Sequence, residues 1–363
     1  MRALRTSRVL ALAAGTFLGI SAASATVAVN NLTPLGDLTG GAAFSAAFGV
    51  SGDASVVTGY SMSASGTEAF RWTNGGGMVG LGDLPGGSFL SQAAGISSDG
   101  NVIVGKSNST ISGINTEAFR YTGIPGSGGA MSGLGDLPGG ITSSLAIAAS
   151  SDGAIVVGQG TSSSGSEAFR WTTVGSIAGM GDLPLGTFRS AAHGISRDGA
   201  VIVGQGNSAS GDEAFRYTGI PGSGGIMVGL GDLTGGGFNS IAYGVSDDGL
   251  TIVGQGTSAN GIEAFRWTLG GGMAPLGDLA GGGFNSIAYC VSADGSVVAG
   301  QGNTAAGAET VSAVGHPQRH RDRPCRQRVD RSHPSQGHQR RWHHGRRPGH
   351  AQRQHRSLHL THP

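Results

Sequence analysis

The chain is poor in the materials from which most folds and most active sites are made. Of its 363 residues only 12% are charged and 6% aromatic. Residues 26–309 contain a single cysteine, Cys290, so no disulfide can form within them. They also contain a single histidine, His193, which leaves little material for a histidine metal site or a histidine-dependent nucleophile. Past the N-terminus no apolar run is long enough for a membrane helix. No segment repeats apolar residues at i, i+3 and i+4 between caps, so helices are expected to be nearly absent. What the chain has instead is glycine, 70 residues of it, without the Gly-X-Y period of collagen. That combination points to a repeat architecture.

Residues 1–25 stand apart. Arg2, Arg5 and Arg8 precede the apolar stretch "VLALAAGTFLGI", and "ASA" at Ala23–Ala25 has the small-residue pattern of a signal peptidase site. The segment is expected to be a secretory signal cleaved after Ala25, which sends the rest to the periplasm or the extracellular space. Charge is split as well. Residues 26–309 hold 8 Lys plus Arg against 20 Asp plus Glu, a net of −12. Residues 310–363 hold 12 Arg and 2 Asp, with ten of the eleven His. The overall +1 averages two unlike pieces and says little about partners.

The body is one unit written six times. "LGDL" (once "MGDL") places Asp at 37, 83, 136, 182, 232 and 278, and a turn written "DG" (once "DA") places Asp at 53, 99, 152, 198, 248 and 294. Both series advance by 46, 53, 46, 50 and 46 residues. "EAFR" recurs at Glu68, Glu117, Glu167, Glu213 and Glu263. Within a unit every segment reads as strand or turn. In residues 240–268, "SIAYGVS", "LTIVGQG" and "IEAFRWT" are strands separated by "DDG" and "TSANG", whose glycines supply the positive φ of tight turns. Four short strands per unit of about 46–53 residues is the pattern of a β-propeller blade, a sheet that buries its faces only against its neighbours. The expected fold is all-β and propeller-like over residues 26–309. A β-solenoid is the alternative, although its coils are usually about half this length.

The Arg- and His-rich end has a different origin. "EAFR" falls due at Glu309, but "TVSAV" follows in place of "AFRW". Codons for Arg341–His359 can be chosen that, read one base later, give DGTTVVGQGTPNGNTEAF, the counterpart of "DGLTIVGQGTSANGIEAF" at Asp248–Phe265. The tail from about residue 310 is therefore read as a seventh repeat translated out of frame, and the intact ancestor as seven-bladed. The histidines then need not be metal ligands, nor the arginines a nucleic-acid arm. With few apolar residues and strong positive charge, residues 310–363 are expected to be disordered. The sixth unit is expected to lack its third strand.

The secretory signal followed by tandem "EAFRWT…GGM…LGDL.GG…GIS.DG.VIVG" units resembles the HAF-repeat family of probable extracellular bacterial proteins, over about residues 31–309. The histidine that names the family is replaced by Glu68, Glu117, Glu167, Glu213 and Glu263, so nothing resting on it carries over. The resemblance implies secretion and repeat architecture, and no settled activity. The "S-x-D-G" turn also resembles the Asp-box turn of sialidase-type propellers, where the Asp caps a hairpin.

Candidate chemistry is sparse. The Asp turns read as structural caps, because calcium sites need several carboxylates close together. "LGDLPGG" lacks the strand-to-helix context of a phosphate loop. Glu and Arg of "EAFR" lie on opposite strand faces and are expected to pair between blades. His193 occupies a slot held elsewhere by Phe48, Ala94, Tyr243 and Tyr289, and reads as a packing residue. Asp212, Asp247, Arg189 and Lys106 break the repeat but are scattered. No catalytic, cofactor-binding or metal-ligating residue is assigned. The expected function is a secreted, non-enzymatic scaffold or binding module with an unknown extracellular ligand, a glycan or a cell-surface component being candidates, and with no nucleic-acid partner. Two other classes stay open: a carbohydrate-active enzyme of sialidase-like or lyase type, and an adhesin that has lost its anchor.

Overall fold

In the computed structural model, residues 33–113 and 115–314 are described. The expected signal segment at 1–25 and the tail from residue 315 lie outside the described residues. Every regular element among the described residues is a strand. The strands form six antiparallel meanders in chain order, five of four strands and a last one of three. The innermost strands are Gly40–Val50, Ser91–Ile96, Leu145–Ala149, Ala191–Ile195, Ile241–Val245 and Ile287–Val291. All six contribute to the wall of one channel. The fold is a six-bladed β-propeller rather than a solenoid, because the sheets pack around one axis.

The repeat explains the blade. In five blades a glycine of the second strand lies opposite the phenylalanine of the third: Gly59 with Phe70, Gly105 with Phe119, Gly158 with Phe169, Gly204 with Phe215 and Gly254 with Phe265. All five rings are fully buried. A Cβ on Gly254 would stand 2.9 Å from the Phe265 ring and 1.9 Å from the carbonyl oxygen of Ile241. The ring fits because the side chain opposite is absent. Four of the rings, Phe119, Phe169, Phe215 and Phe265, fill the joint with the preceding blade. Phe119 packs on Ala69 of that blade and on Leu81 and Leu84 of the linker, and Phe215 sits likewise with Ala168, Met180 and Leu183. Burial of such a ring stabilises by roughly 1.5–3 kcal/mol.

Polar repeats fasten the joints. A serine at the head of each inner strand reaches back one blade: the hydroxyls of Ser91, Ser144, Ser190, Ser240 and Ser286 accept the N–H of Ala69, Ala118, Ala168, Ala214 and Ala264 at 2.9–3.0 Å. The "LGDL" aspartates organise the linker. Asp232 accepts the N–H groups of Leu233, Asn239 and Thr257 at 2.8, 2.7 and 2.9 Å, and Asp278 does the same with Leu279, Asn285 and Asn303. In the "S-x-D-G" turn, Asp198 accepts the Ser196 hydroxyl at 2.7 Å and the Ala200 N–H at 3.0 Å, while the Ser196 oxygen accepts the Val201 N–H at 2.9 Å. All six turns repeat this arrangement.

Two sequence expectations are corrected here. The "EAFR" residues do not pair as ions between blades. Glu68, Glu117, Glu167, Glu213 and Glu263 accept the linker N–H of Gly82, Gly135, Gly181, Gly231 and Gly277 at 2.8–3.1 Å. The arginine does cross to the next blade, but to a carbonyl: Arg120 donates to Gly153 at 3.1 Å and Arg266 to Gly295 at 3.2 Å. Arg120 also lies over the Trp171 ring, 5.8 Å from its centroid. The sixth unit, for its part, keeps its third strand. Gly307–Val314 pairs along its whole length with Val297–Thr304. The β-branched residues of "TVSAV" support an antiparallel ladder as "AFRWT" does, so the strand runs past the expected boundary at 309.

What the sixth blade loses is the ring. Val311 stands opposite Gly300, the register position of the five phenylalanines. At the same joint is an open pocket of about 170 Å³ whose described lining includes Ala264, Leu276, Leu279, Ala288, Val298 and Gly300. The linker leucines register the loss. Leu233 is buried in the preceding joint, whereas its counterpart Leu279 is half-buried in this one, and Leu276, the counterpart of the half-buried Leu230, is exposed.

Candidate functional site: the axial channel

The six inner strands share an irregularity. Each carries a β-bulge at the same place, between Ala47 and Gly49, Ala93 and Gly95, Ala146 and Ala148, Ala192 and Gly194, Ala242 and Gly244, and Ala288 and Cys290. The extra residue is Phe48, Ala94, Ile147, His193, Tyr243 or Tyr289. A bulge inserts one residue into a strand and re-aims its side chain. The strands on either side are too close to accept much else: a Cβ on Gly95 would stand 2.4 Å from the carbonyl oxygen of Ile147 in the next blade.

Four of these bulged residues, Ile147, His193, Tyr243 and Tyr289, line a channel cavity of about 100 Å³. His193 and Tyr243 have ring centroids 5.7 Å apart, as do Tyr243 and Tyr289. The fourth to sixth blades thus present a continuous aromatic row. Phe48 stacks instead on Tyr60 of its own blade at 5.5 Å, and Ala94 is small, so the opposite wall is plain. His193 thus packs on Tyr243, as its slot suggested, and also lines the channel. Slots of this kind pack against neighbours in most strands; here the bulge turns them to the axis.

The rim is polar. The residue before each turn aspartate changes from blade to blade: Gly52, Ser98, Ser151, Arg197, Asp247 and Ala293. These residues join hand to hand. The Gly52 N–H donates to Ser98 O at 2.8 Å, that of Ser151 to Arg197 O at 3.0 Å, and that of Asp247 to Ala293 O at 3.0 Å. Arg197 and Asp247 add an ion pair at 3.3 Å between the fourth and fifth blades. Among the described residues no such bond joins the sixth turn to the first. Of the repeat-breaking residues, Asp247 thus reaches the rim and Lys106 does not line the cavity. Arg189 and Asp212 pair with each other outside it. Arg197 went unnoticed in the sequence, although the variable place in "S-x-D-G" marks it.

Burial keeps the channel uncharged near neutrality. His193 retains an open edge, yet the wall around it depresses its pKa to about 4. Burial, with the neighbouring Tyr289, pushes Tyr243 up to about 12. Burial also raises the Tyr289 hydroxyl and the Cys290 thiol. The turn carboxylates go the other way. Hydrogen bonds, first from the Ser55 N–H at Asp53 and from the Ser292 hydroxyl at Asp294, hold both at about 2. Among the described residues no three His, Cys, Asp or Glu side chains are placed to hold a metal ion. Neither is any described helix long and apolar enough to cross a membrane.

No family model and no curated protein matches the chain. Among solved structures it is similar to TolB from Acinetobacter baumannii, at 14% identity and TM-score 0.41 over 61% of this chain. It spans 52% of that protein, about half its length. It is also similar to hydrazine synthase of Kuenenia stuttgartiensis, at 10% identity and TM-score 0.44, covering 73% of this chain and 82% of the other.

Proposed function

We propose that this protein is a secreted, non-enzymatic binding module of the HAF-repeat type, and that the axial channel is its binding site for a neutral, hydroxylated ligand such as the end of a glycan. One observation carries the reading. Two of the places at which the repeat changes from unit to unit, the bulged residue and the residue before the turn aspartate, meet at the same channel and its rim, with four residues of each kind in the wall. The kept serines, phenylalanines and aspartates hold blades together, whereas these two variable places face a shared space. Pockets that bind small molecules combine apolar walls with a few placed polar groups. Here the rings of Tyr243, Tyr289 and His193 offer faces for the C–H side of a sugar. Ser98, Ser151, Arg197 and Asp247 offer donors and acceptors at the mouth. The N-terminal pattern around Arg2 to Ala25 supports export.

A neutral-glycan array probed with the mature protein, followed by titration of the best binder, tests this. Binding should fall at least tenfold in Tyr243→Ala and in Tyr289→Ala. Absence of any neutral-glycan binding, or binding indifferent to both substitutions, overturns the proposal.

A further inference from the structure

We propose a second site: the pocket at the ring slot between the fifth and sixth blades binds a small uncharged aromatic molecule of the phenyl or indole class. The slot's shape is known from its siblings. At the four preceding joints the same surroundings enclose the rings of Phe119, Phe169, Phe215 and Phe265. At the fifth joint the surroundings persist, with Ala264 on the preceding blade, Leu276 and Leu279 on the linker, and Ala288 and Val298 on the sixth blade. Gly300 persists too. At Gly204 and Gly254 a Cβ would collide with the phenylalanine ring at 2.9 Å, and at Gly300 the conformation that admits the ring is kept without it.

Size and polarity agree. The pocket is about 170 Å³. An apolar cavity of about 150 Å³ stays dry and takes up benzene. Asp278 at its edge does not make it polar, since its carboxylate is committed to the N–H groups of Leu279, Asn285 and Asn303. Anionic ligands are excluded, because the one charged group among the described lining residues is the Asp278 carboxylate. The site shares no residue with the channel, so it stands or falls independently of the proposed function.

The test is thermal unfolding of the full chain titrated with toluene and with indole, alongside methyl NMR of Leu279 and Val298. The proposal expects a saturable rise in Tm, on the order of 3 °C at tenfold excess over Kd. It also expects shifts of both methyl groups. Val311→Phe should raise Tm without ligand and abolish the ligand response. An unchanged Tm with unmoved methyls overturns the proposal, and so does an equal response in Val311→Phe. Should that variant fail to fold, the wild-type methyls decide: shifts at Leu279 and Val298 support the slot, and shifts confined to channel methyls such as those of Ile147 and Val245 overturn it.

Discussion

Four joints between consecutive blades are filled by a phenylalanine ring and the fifth is not, although the same repeat supplies the residues around all five. The comparison separates two kinds of information in the unit. The backbone ladder survives the loss: Gly307–Val314 pairs residue for residue as its counterparts do. Packing is looser: Ala264, which faces this joint, is 6% exposed, while Ala69, Ala118, Ala168 and Ala214 at its register position are fully buried. A strand needs only a tolerable alternation of residues. A joint needs one particular volume.

The largest test is to empty a second joint. Phe215→Ala should cost about 3–5 kcal/mol in denaturant unfolding, the range for a fully buried aromatic ring. A loss below about 1 kcal/mol would mean that the rings do not hold the blades and that the fifth joint is not exceptional. Next come the serine links. Ser240→Ala removes the acceptor of the Ala214 N–H and should cost about 1–2 kcal/mol. Ser45→Ala, at the start of the first blade where the hydroxyl only donates to Gly36 O, should cost clearly less. Equal losses would erase the distinction between inner joints and the end of the series.

Acid should separate channel from turns. The His193 pKa is depressed from 6.5 to about 4, so its contribution is complete above pH 6.5 and is lost as pH falls through about 4. The Asp53 and Asp294 carboxyls, depressed from 3.8 to about 2, contribute stability that is present above pH 4 and lost as pH falls through about 2. His193→Phe should flatten only the first limb of a stability–pH curve, and Asp294→Asn should reduce only the second. A single limb that responds to both substitutions would contradict this assignment. The smallest effect is expected from truncation after Val314. If residues beyond it are an out-of-frame product, the unfolding free energy of the repeats should change by less than about 0.5 kcal/mol. A larger loss would contradict the frame-shift account.

Much of the blade was legible in the sequence. The fixed period, the "DG" turns and the β-branched "VIVG" strands specify short antiparallel strands whatever they pack against. The fate of polar side chains was not. Glu263 and Arg266 were correctly placed on opposite strand faces, but only the folded linker brings the Gly277 N–H to the glutamate, and only the neighbouring turn brings the Gly295 carbonyl to the arginine. The channel was hidden for a related reason. A β-bulge has no residue signature of its own here, so alternation alone assigns Tyr243 or His193 to an ordinary packing face. Variation among the six copies held the missing signal. Where "VIVG" stays nearly constant, the slot of Phe48, Ala94, Ile147, His193, Tyr243 and Tyr289 does not.

The serine links all point one way. Each blade's serine takes hold of the blade before it, and none reaches forward. The series is thus directional, like a filament with unlike ends: Ser45 is a grip with no described blade behind it, and the sixth blade has nothing described that grips it. Whole units can be added or removed inside such a series without designing a new contact, because every cut exposes the same two complementary ends. The 96-residue recurrence of "YTGIPGSGG", from Tyr121 to Tyr217, is what growth by duplicated pairs would leave behind.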